Sequence, residues 1–430
     1  MRNNNNKINY VKRSLFDKVS KHLDNKEITL IIGPRQVGKT VLLKQLQKYL
    51  IISKKIGPEL ILYFNLDIIQ DRELFQNQTE FIEYIKQKSS NKKIYILIDE
   101  AQKVKDAGVF FKGVYDSDLP VKLILTGSSA LEIKSKVYES LTGRKRIFHL
   151  LPFSFLEILK YKNTELYNLI FKKKEIFDYD KKKILKIFLN YCIFGGYPQV
   201  VLTQNHEEKQ EFLREIFNSY VEKDIVGFLK IENESNFIKL VKLLSAQIGS
   251  LVNITELSAL INTDKDTVVR YLSNLNKTFI IYNLKPFYVN SRQEVIKASK
   301  IYFIDNGIRN IGLENLTKPF IERQDKGNLL ENIILKELLI LKYAKNFNLK
   351  FWRSKQKAEV DFIIEQGLTI VPIEIKSNLT SNKVESSLLG FITRHNPKKA
   401  LVINLGYKGK RMINKTEIFF IYPWEIENYI

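Results

Sequence analysis

The stretch that decides the fold runs from Glu27 to Leu50 and reads EITLIIGPRQVGKTVLLKQLQKYL. Its first part, residues 27–32, is a short apolar run typical of a buried β-strand. From residue 41 to residue 50 the leucines recur at helical spacing, and residues 33–40 between the two parts are rich in glycine. The sequence therefore predicts a strand, a glycine-rich loop and a helix in direct succession.

The loop itself, GPRQVGKT, matches the P-loop pattern G-x-x-x-x-G-K-T at every required position. Glycines let backbone N–H groups turn toward phosphate oxygens, and the positive end of the following helix adds to the attraction. We expect Lys39 to reach the β- and γ-phosphates and the Thr40 hydroxyl to ligate Mg²⁺, so ATP and Mg²⁺ are the predicted cofactors. The residues of this tract predicted to bind the nucleotide are Gly33, Pro34, Arg35, Gln36, Val37, Gly38, Lys39, Thr40 and Val41.

An acidic pair, Asp99-Glu100, follows one of three further apolar runs, which span residues 60–66, 94–98 and 121–125. Such continuous runs indicate a parallel sheet covered on both faces. Carboxylates at the carboxyl end of a buried strand lie at the edge where open α/β sheets hold ligands. We therefore expect Asp99 to hold Mg²⁺, directly or through water, and Glu100 to polarise the attacking water as general base.

Two further candidates come after the next run. The tract Thr126–Ser129 ends with Ser128 and Ser129, whose hydroxyls are candidates for sensing the γ-phosphate, although small residues at such a point are also common turn formers. Arg144 follows Leu141-Thr142-Gly143 and is a candidate for neutralising transition-state charge, either in its own subunit or in a neighbour.

Taken together, residues 33–40, 99–102, 126–129 and 141–144 resemble prokaryotic ATPases that join an AAA-type nucleotide-binding domain to a C-terminal domain of unknown function, DUF4143. The tracts 191–200, which contains GGYP, and 244–253 resemble downstream signatures of the same family. The resemblance implies an AAA-like fold, ATP binding, a winged-helix segment and a nuclease-like terminus. The sequence does not give the oligomeric state, although AAA-type domains often need a neighbour to complete the site, so a homo-oligomer stays open as a partner.

A winged-helix pattern follows in the second half of the chain. Residues 237–247, 255–261 and 264–276 read as helices, and residues 279–284 read as a strand. The outer face of the third helix is predicted to present Lys265, Thr267, Arg270, Tyr271 and Asn274. These residue types suit phosphates and base edges, but winged helices also dock proteins, so both kinds of partner stay open.

The C-terminal part predicts a β-hairpin with acidic side chains, formed by residues 359–365 and 370–376. Because side chains alternate along a strand, Glu374 and Lys376 share a face. If the hairpin closes through a four-residue turn, Asp361 falls opposite Glu374. Two like charges placed there are destabilising unless a cation lies between them.

Upstream, Glu331 lies on the core-facing stripe of a predicted helix, where a carboxylate needs a partner. Glu331, Asp361 and the triplet Glu374-x-Lys376 resemble the restriction-endonuclease-like core written PD-(D/E)XK, although Val360 stands where that pattern has proline. In this resemblance the three carboxylates hold a second Mg²⁺ or Mn²⁺, and Lys376 positions or activates the attacking water. The alternative is a hairpin with ordinary cross-strand pairs.

The predicted fold class is α/β: a P-loop NTPase with a parallel sheet and a helical lid, followed by a winged helix and a small α/β restriction-endonuclease-like domain. The predicted boundaries are residues 1–152 for the AAA-type P-loop ATPase domain, 153–230 for the helical lid or connector, 231–295 for the winged-helix-like domain and 296–430 for the nuclease-like domain.

Composition excludes several classes of protein. Of the 430 residues, 44% are hydrophobic and 27% are charged, a balance that excludes disorder over most of the length. The single cysteine, Cys192, cannot form an internal disulfide. Residues 1–10 lack the apolar core of a signal peptide, and no segment approaches 18 uncharged apolar residues. We therefore expect a soluble, cytoplasmic protein without a membrane partner.

The net charge of +22 favours a polyanionic partner, and DNA is the one predicted, although scattered lysines in a chain rich in Ile, Asn and Lys would also raise the charge. The sequence as a whole predicts an ATP-binding and ATP-hydrolysing switch that acts on DNA. Two alternatives remain for its C-terminal domain: a metal-dependent nuclease, or a dock for DNA or protein that does not cut.

Overall fold

A computed structural model describes residues 10–127, 141–172, 174, 176–219, 233–287 and 298–430. Ser128 and Ser129 lie outside the described residues, as do residues 220–230 at the end of the predicted helical lid or connector. The chain divides into two compact units, residues 1–151 and residues 152–430. None of the helices described is both long and apolar enough to cross a membrane.

The first unit is built on one sheet. Its strands are β1 (Ile28–Ile32), β2 (Ile61–Asn65), β3 (Ile94–Asp99), β4 (Val121–Gly127) and β5 (Lys145–His149). All are parallel, in the order β2-β3-β4-β1-β5. Every residue of β1 and β3 is buried, which explains their continuous apolar runs. The predicted parallel sheet is thus confirmed, whereas β5, a half-exposed edge strand with charged residues, shows no such run.

The helices of the first unit pack around this sheet. They are α1 (Phe16–His22), α2 (Lys39–Ile52), α3 (Ile69–Glu73), α4 (Gln78–Ser89) and α5 (Ala107–Asp116). The predicted helix after the P-loop is α2, and it buries the leucines at positions 42, 43, 46 and 50. This buried stripe fixes the start of α2 against the sheet, directly after the glycine-rich loop.

The second unit contains a mixed sheet. Its strands are β6 (Ile281–Pro286), β7 (Lys300–Phe303), β8 (Asn348–Arg353), β9 (Glu359–Gln366), β10 (Thr369–Lys376), β11 (Lys399–Asn404), β12 (Gly409–Ile413) and β13 (Thr416–Ile421). The order is β12-β13-β11-β10-β9-β8-β6-β7. In the antiparallel hairpin of β9 and β10, Ile370 pairs with Glu365, which is the register that the sequence predicted.

The helices of the second unit occupy most of its first half. They are α6 (Phe155–Lys162), α7 (Thr164–Phe171), α8 (Asp178–Phe194), α9 (Pro198–Leu202), α10 (His206–Phe217), α11 (Glu234–Ala246), α12 (Ile254–Leu260), α13 (Lys265–Lys277), α14 (Asn306–Gly312), α15 (Lys326–Lys345) and α16 (Ser386–His395). From α15 onward the order is helix, three antiparallel strands, helix and a parallel strand.

The GGYP tract at residues 195–198 lies between α8 and α9, where the chain packs too closely for side chains. A Cβ on Gly196 would overlap the Phe153 carbonyl oxygen and lie 2.9 Å from Lys336 Nζ. The Gly196 N–H donates to Asp305 Oδ2 at 2.7 Å, and the Phe153 N–H donates to the Gly196 carbonyl at 2.7 Å. The glycine is therefore required by close backbone contact.

We predict that Gly196→Ala lowers the stability of the second unit by roughly 1–3 kcal/mol, the usual cost of forcing extra atoms into a packed site. Gly390→Ala is the matched control, because Gly390 lies in α16 with open space around its Cβ position. That change is expected to stabilise by about 0.5–1 kcal/mol. Calorimetric unfolding of both variants tests this, and equal midpoints would contradict the packing argument.

Candidate nucleotide site and carboxylate cluster

The P-loop connects β1 to α2 at the carboxyl edge of the first sheet. A Cβ on Gly33 would overlap the Leu150 carbonyl oxygen. Gly38, the N-cap of α2, has a φ angle of 93°, in the left-handed region that favours glycine. Both glycines of the pattern are thus required by the path of the backbone.

Arg13, which no sequence motif predicted as a site residue, anchors the loop through two backbone carbonyls. Its Nη1 donates to the Val37 carbonyl at 2.8 Å, and its Nη2 donates to the Leu151 carbonyl at 2.5 Å. Val37 is buried, whereas Arg35 and Gln36 are exposed. The loop therefore presents its middle residues to solvent while its ends are anchored.

The backbone of the P-loop surrounds the Lys39 side chain. Only 5% of its surface is exposed, and its Nζ donates to the carbonyls of Gly33 at 3.1 Å and Pro34 at 2.8 Å. Burial lowers the pKa of Lys39 to about 8, although the nearby carboxylates of Glu100 and Asp99 oppose the shift. The ammonium is thus held where the loop's backbone surrounds it.

Asp99 meets Thr40 at the end of β3. The Thr40 hydroxyl donates to Asp99 Oδ2 at 2.5 Å, and the Thr126 hydroxyl donates to Asp99 Oδ1. The Tyr63 hydroxyl is 3.4 Å from Asp99 Oδ2, and burial, together with the Asp99 charge, raises the pKa of Tyr63. The structure therefore brings together the two residues that the sequence predicted as the Mg²⁺ site.

Glu100 follows directly, with a left-handed φ angle of 56°. Its N–H donates to the Thr126 hydroxyl at 3.2 Å, and the Gln102 side chain donates to its carboxylate. Thr126 and Gln102 both belong to tracts that carried the family resemblance, but neither was predicted as a site residue. The sequence did contain a signal for both residues, because each has a polar side chain shortly after an apolar run.

Arg144 lies at the amino ends of the strands of the first sheet, whereas the P-loop lies at their carboxyl ends. It precedes β5, which runs parallel to β1 with Lys145 opposite Ile28. Its Nε is 2.8 Å from Asp116 Oδ1. The P-loop begins beyond the far end of β1, a strand of five residues, or about 16 Å. The structure does not bring Arg144 to its own P-loop, so a role in a neighbouring subunit stays a prediction.

In the second unit, the hairpin brings Asp361, Glu374 and Lys376 together. The ladder reaches Phe362 opposite Ile373, so Asp361 and Glu374 occupy the next position. Lys376 Nζ is 3.0 Å from Glu374 Oε1, and Asp361 Oδ2 accepts the Ile375 N–H at 2.7 Å. Glu374 is only 4% exposed, and its Oε2 has no hydrogen-bond partner among the described residues.

Glu331 finds its partner in Lys300, a residue that the sequence analysis did not select. Lys300 Nζ is 3.5 Å from Glu331 Oε1 and 2.5 Å from Glu359 Oε1, and the Tyr302 hydroxyl donates to Glu331. Burial alone would lower the pKa of Lys300, but the surrounding carboxylates outweigh it and raise the pKa above its ordinary value. Lys300 is therefore a charged, buried ammonium.

The described residues do not fit the second metal ion that the sequence predicted. Among them, no group of three or more His, Cys, Asp or Glu side chains is arranged to hold a metal ion. Glu331 contacts Lys300 and Tyr302, and the reachable oxygen of Glu374 contacts Lys376. The predicted ligands lie in one cluster, but one oxygen of each already contacts a protein donor.

Burial raises the pKa of Asp361 well above its ordinary value, and the charges of Glu331 and Glu374 add to the shift. Burial also raises the pKa of Glu374, against the opposing charge of Lys376. Both carboxyls thus hold protons more tightly in the folded protein than in the unfolded chain. For each of them, folding becomes less favourable as the pH rises from its ordinary pKa to the raised one.

We predict that Asp361→Asn stabilises the protein more at pH 8 than at pH 5. The asparagine removes a group whose ionisation opposes folding above its ordinary pKa of 3.8 and keeps an acceptor for the Ile375 N–H. Urea unfolding at the two pH values measures the effect. Glu211→Gln, at an exposed carboxylate, is the control and is expected to show no such difference. An equal gain at both pH values would contradict the prediction.

The predicted outer face of the third winged-helix helix, α13, is correct only in part. Lys265 and Arg270 are exposed, but Tyr271 and Asn274 are buried at 3% and 8% exposure. The Tyr271 ring packs against Phe237 with the centroids 5.2 Å apart. Tyr271 and Asn274 were thus wrongly placed, because the core-facing stripe of α13 is wider than its aliphatic residues indicate.

Comparison with known families divides the chain into three stretches. Residues 25–159 match a family described as an AAA domain. Residues 185–318 match a domain of unknown function, DUF8612, and residues 326–425 match another, DUF4143. The DUF4143 match agrees with the resemblance drawn from the sequence.

Curated relatives extend over both units. An uncharacterized protein of Haemophilus influenzae is 26% identical over 411 residues, which cover 94% of this chain and 95% of the relative. The uncharacterized protein MJ1544 of Methanocaldococcus jannaschii is 29% identical over 344 residues, 79% of this chain and 72% of that protein. Neither name states an activity.

Solved structures give weaker likenesses. The ORC1 protein of Aeropyrum pernix, in complex with DNA, is 13% identical and covers 71% of this chain and 94% of its own, with a TM-score of 0.30. CDC6P of Pyrobaculum aerophilum is 12% identical and covers 79% of this chain and 97% of its own, also at 0.30. By these matches, the chain is similar to an AAA domain over residues 25–159 and to a domain of unknown function over residues 326–425.

Proposed function

We propose that this protein is an ATP-binding and ATP-hydrolysing switch whose second unit docks on DNA. The observation that carries the proposal is the contact of the Thr40 hydroxyl with Asp99 Oδ2 at 2.5 Å, beside the buried ammonium of Lys39. The AAA domain match over residues 25–159 supports it. In a homo-oligomer, Arg144 would act on the site of a neighbouring subunit.

The residues of the first unit fit ATP and Mg²⁺. Close backbone contact leaves no room for a side chain at Gly33, and Lys39 places a buried positive charge within the loop. Residues 33–41 would hold the phosphates, and Thr40 and Asp99 would hold the metal. When bound, Mg²⁺ neutralises charge on the phosphate oxygens.

Glu100 is the proposed general base. Its backbone is fixed by the bond from its N–H to Thr126, and its carboxylate accepts from Gln102. These contacts hold the carboxylate at the strand end, next to Asp99, where it would orient water and accept its proton. Gln102 is a positioning residue in this proposal.

We predict that Lys39→Ala abolishes ATP binding, because the loop loses the positive charge at its centre. Glu100→Gln is expected to bind ATP normally and to lose about 10²–10⁴-fold in turnover, the usual contribution of a general base. Nucleotide binding by calorimetry and phosphate release separate the two defects. Lys48→Ala, at an exposed position of α2, is the control. Wild-type hydrolysis in both site variants would defeat the proposal.

DNA docking is proposed for the second unit from its element order and from the net charge of +22 of the whole chain. The helices α11, α12 and α13 lead into the antiparallel pair β6 and β7, and Leu251 bridges to Lys300. This order supports the predicted winged helix, with β7 lying beyond its predicted end at residue 295. Lys265 and Arg270 are exposed near the start of α13, where they would meet phosphates.

We predict that the double variant Lys265→Ala/Arg270→Ala weakens DNA binding and lowers the slope of log affinity against log salt by about two, because two phosphate contacts are lost. Fluorescence anisotropy of a labelled duplex at several KCl concentrations measures this. Lys182→Ala/Lys186→Ala removes the same charge from an exposed face of α8 and is the control. Equal changes in both pairs would contradict a docking face on α13.

Between the two alternatives for the C-terminal region, a dock without cleavage is the one proposed. A nuclease centre needs carboxylate oxygens that are available to a metal ion. In residues 298–430, one oxygen each of Glu331, Asp361 and Glu374 is instead engaged by a lysine, a backbone N–H or a tyrosine hydroxyl. The absence of a metal-binding group among the described residues supports this choice.

A further inference from the structure

In the carboxylate cluster of the second unit, Lys300 contacts Glu331 and Glu359, whereas Lys376 contacts Glu374. Lys300 is the first residue of β7, whereas Glu331 belongs to α15 and Glu359 begins β9. The Lys300 ammonium contacts both carboxylates, at 3.5 Å and 2.5 Å. Its side chain is only 3% exposed, so it cannot turn out to solvent while the surrounding elements stay packed.

We propose that the Lys300 ammonium is the resident counter-ion of this cluster and takes the place of a divalent cation there. The inference deepens the docking function proposed for the second unit, and it is independent of the ATPase proposed for the first. It names the residue that makes the nuclease-like centre metal-free.

Charge and geometry support this assignment. Glu331 and Glu359 are only 17% and 27% exposed, and carboxylates with so little access to water favour a positive partner. One ammonium placed between the two supplies it without a metal. Mg²⁺ requires near-octahedral oxygen ligands at about 2.0–2.1 Å. Lys300 Nζ already lies within 3.5 Å of Glu331 and Glu359, so a cation at the same point would meet a like charge and share its ligands.

Glu374 and Asp361 supply oxygen atoms that a metal ion would need in the absence of that ammonium. Its Oε2 is buried and has no hydrogen-bond partner among the described residues, and Asp361 stands opposite it across the hairpin. With Lys300 neutralised, the cluster would have an excess of buried negative charge and unused oxygen atoms. Removal of the charge at position 300 should therefore create a divalent-cation site that needs Asp361.

Electron paramagnetic resonance of free Mn²⁺ tests the inference in the full chain without nucleotide. Wild type and Asp361→Asn are expected to bind equal numbers of Mn²⁺ ions. Lys300→Met is expected to bind one more, and Lys300→Met/Asp361→Asn to lose it again. All four proteins keep Thr40 and Asp99, so any Mn²⁺ bound at the P-loop contributes equally to the number of ions counted for each. Lys300→Arg, which keeps the positive charge, is expected to behave as wild type.

Two outcomes would overturn the inference: a Mn²⁺ ion bound by wild type and lost in Asp361→Asn, or a folded Lys300→Met protein that gains no ion. Should Lys300→Met fail to fold, the comparison of wild type with Asp361→Asn still decides. A second assay incubates the wild-type protein with supercoiled plasmid and Mn²⁺, and we expect no nicking. Nicking that Asp361→Ala abolishes would overturn the inference, whereas loss of DNA binding alone would overturn only the docking function.

Discussion

The hydrogen bond between the Thr40 hydroxyl and the Asp99 carboxylate is the constraint around which the first unit is organised. The two residues are 59 positions apart in the chain. They meet because β1 and β3 both pair with β4 in parallel, which sets the P-loop and the end of β3 at one edge of the sheet. The buried leucines of α2 and the anchoring of the loop by Arg13 keep that edge in place.

The carboxylates of the two units have different partners, and this difference distinguishes the functions proposed for the units. Asp99 accepts hydrogen bonds from the hydroxyls of Thr40 and Thr126. Hydroxyls can turn their lone pairs toward a metal ion that the carboxylate also contacts. Around Glu331 the partner is the ammonium of Lys300, which has three donors and no lone pair. In the first unit the carboxylate of Asp99 could still contact a metal ion. In the second unit the ammonium of Lys300 is itself the proposed cation.

Much of this architecture could be predicted from local patterns. The P-loop, its strand and its helix were predicted correctly because the glycine spacing and the apolar runs lie within 24 consecutive residues. The register of the β9–β10 hairpin followed from its short turn, which leaves few ways to pair the strands. By contrast, Tyr271 was assigned to the exposed face of α13, because an amphipathic side chain gives no sign of which neighbour will cover it.

The sequence by itself determined the phosphate-binding loop, the acidic pair at the strand end and the hairpin that carries Asp361 and Glu374, because each depends on residues close together in the chain. Only the tertiary structure placed Arg144 at the opposite edge of the sheet from the P-loop and set Lys300 against Glu331, 31 residues away. Which strands become neighbours, and which buried charges then neutralise each other, depends on the packing of the whole unit. A lone lysine at the start of a strand carries no local signal of the carboxylate that it will contact.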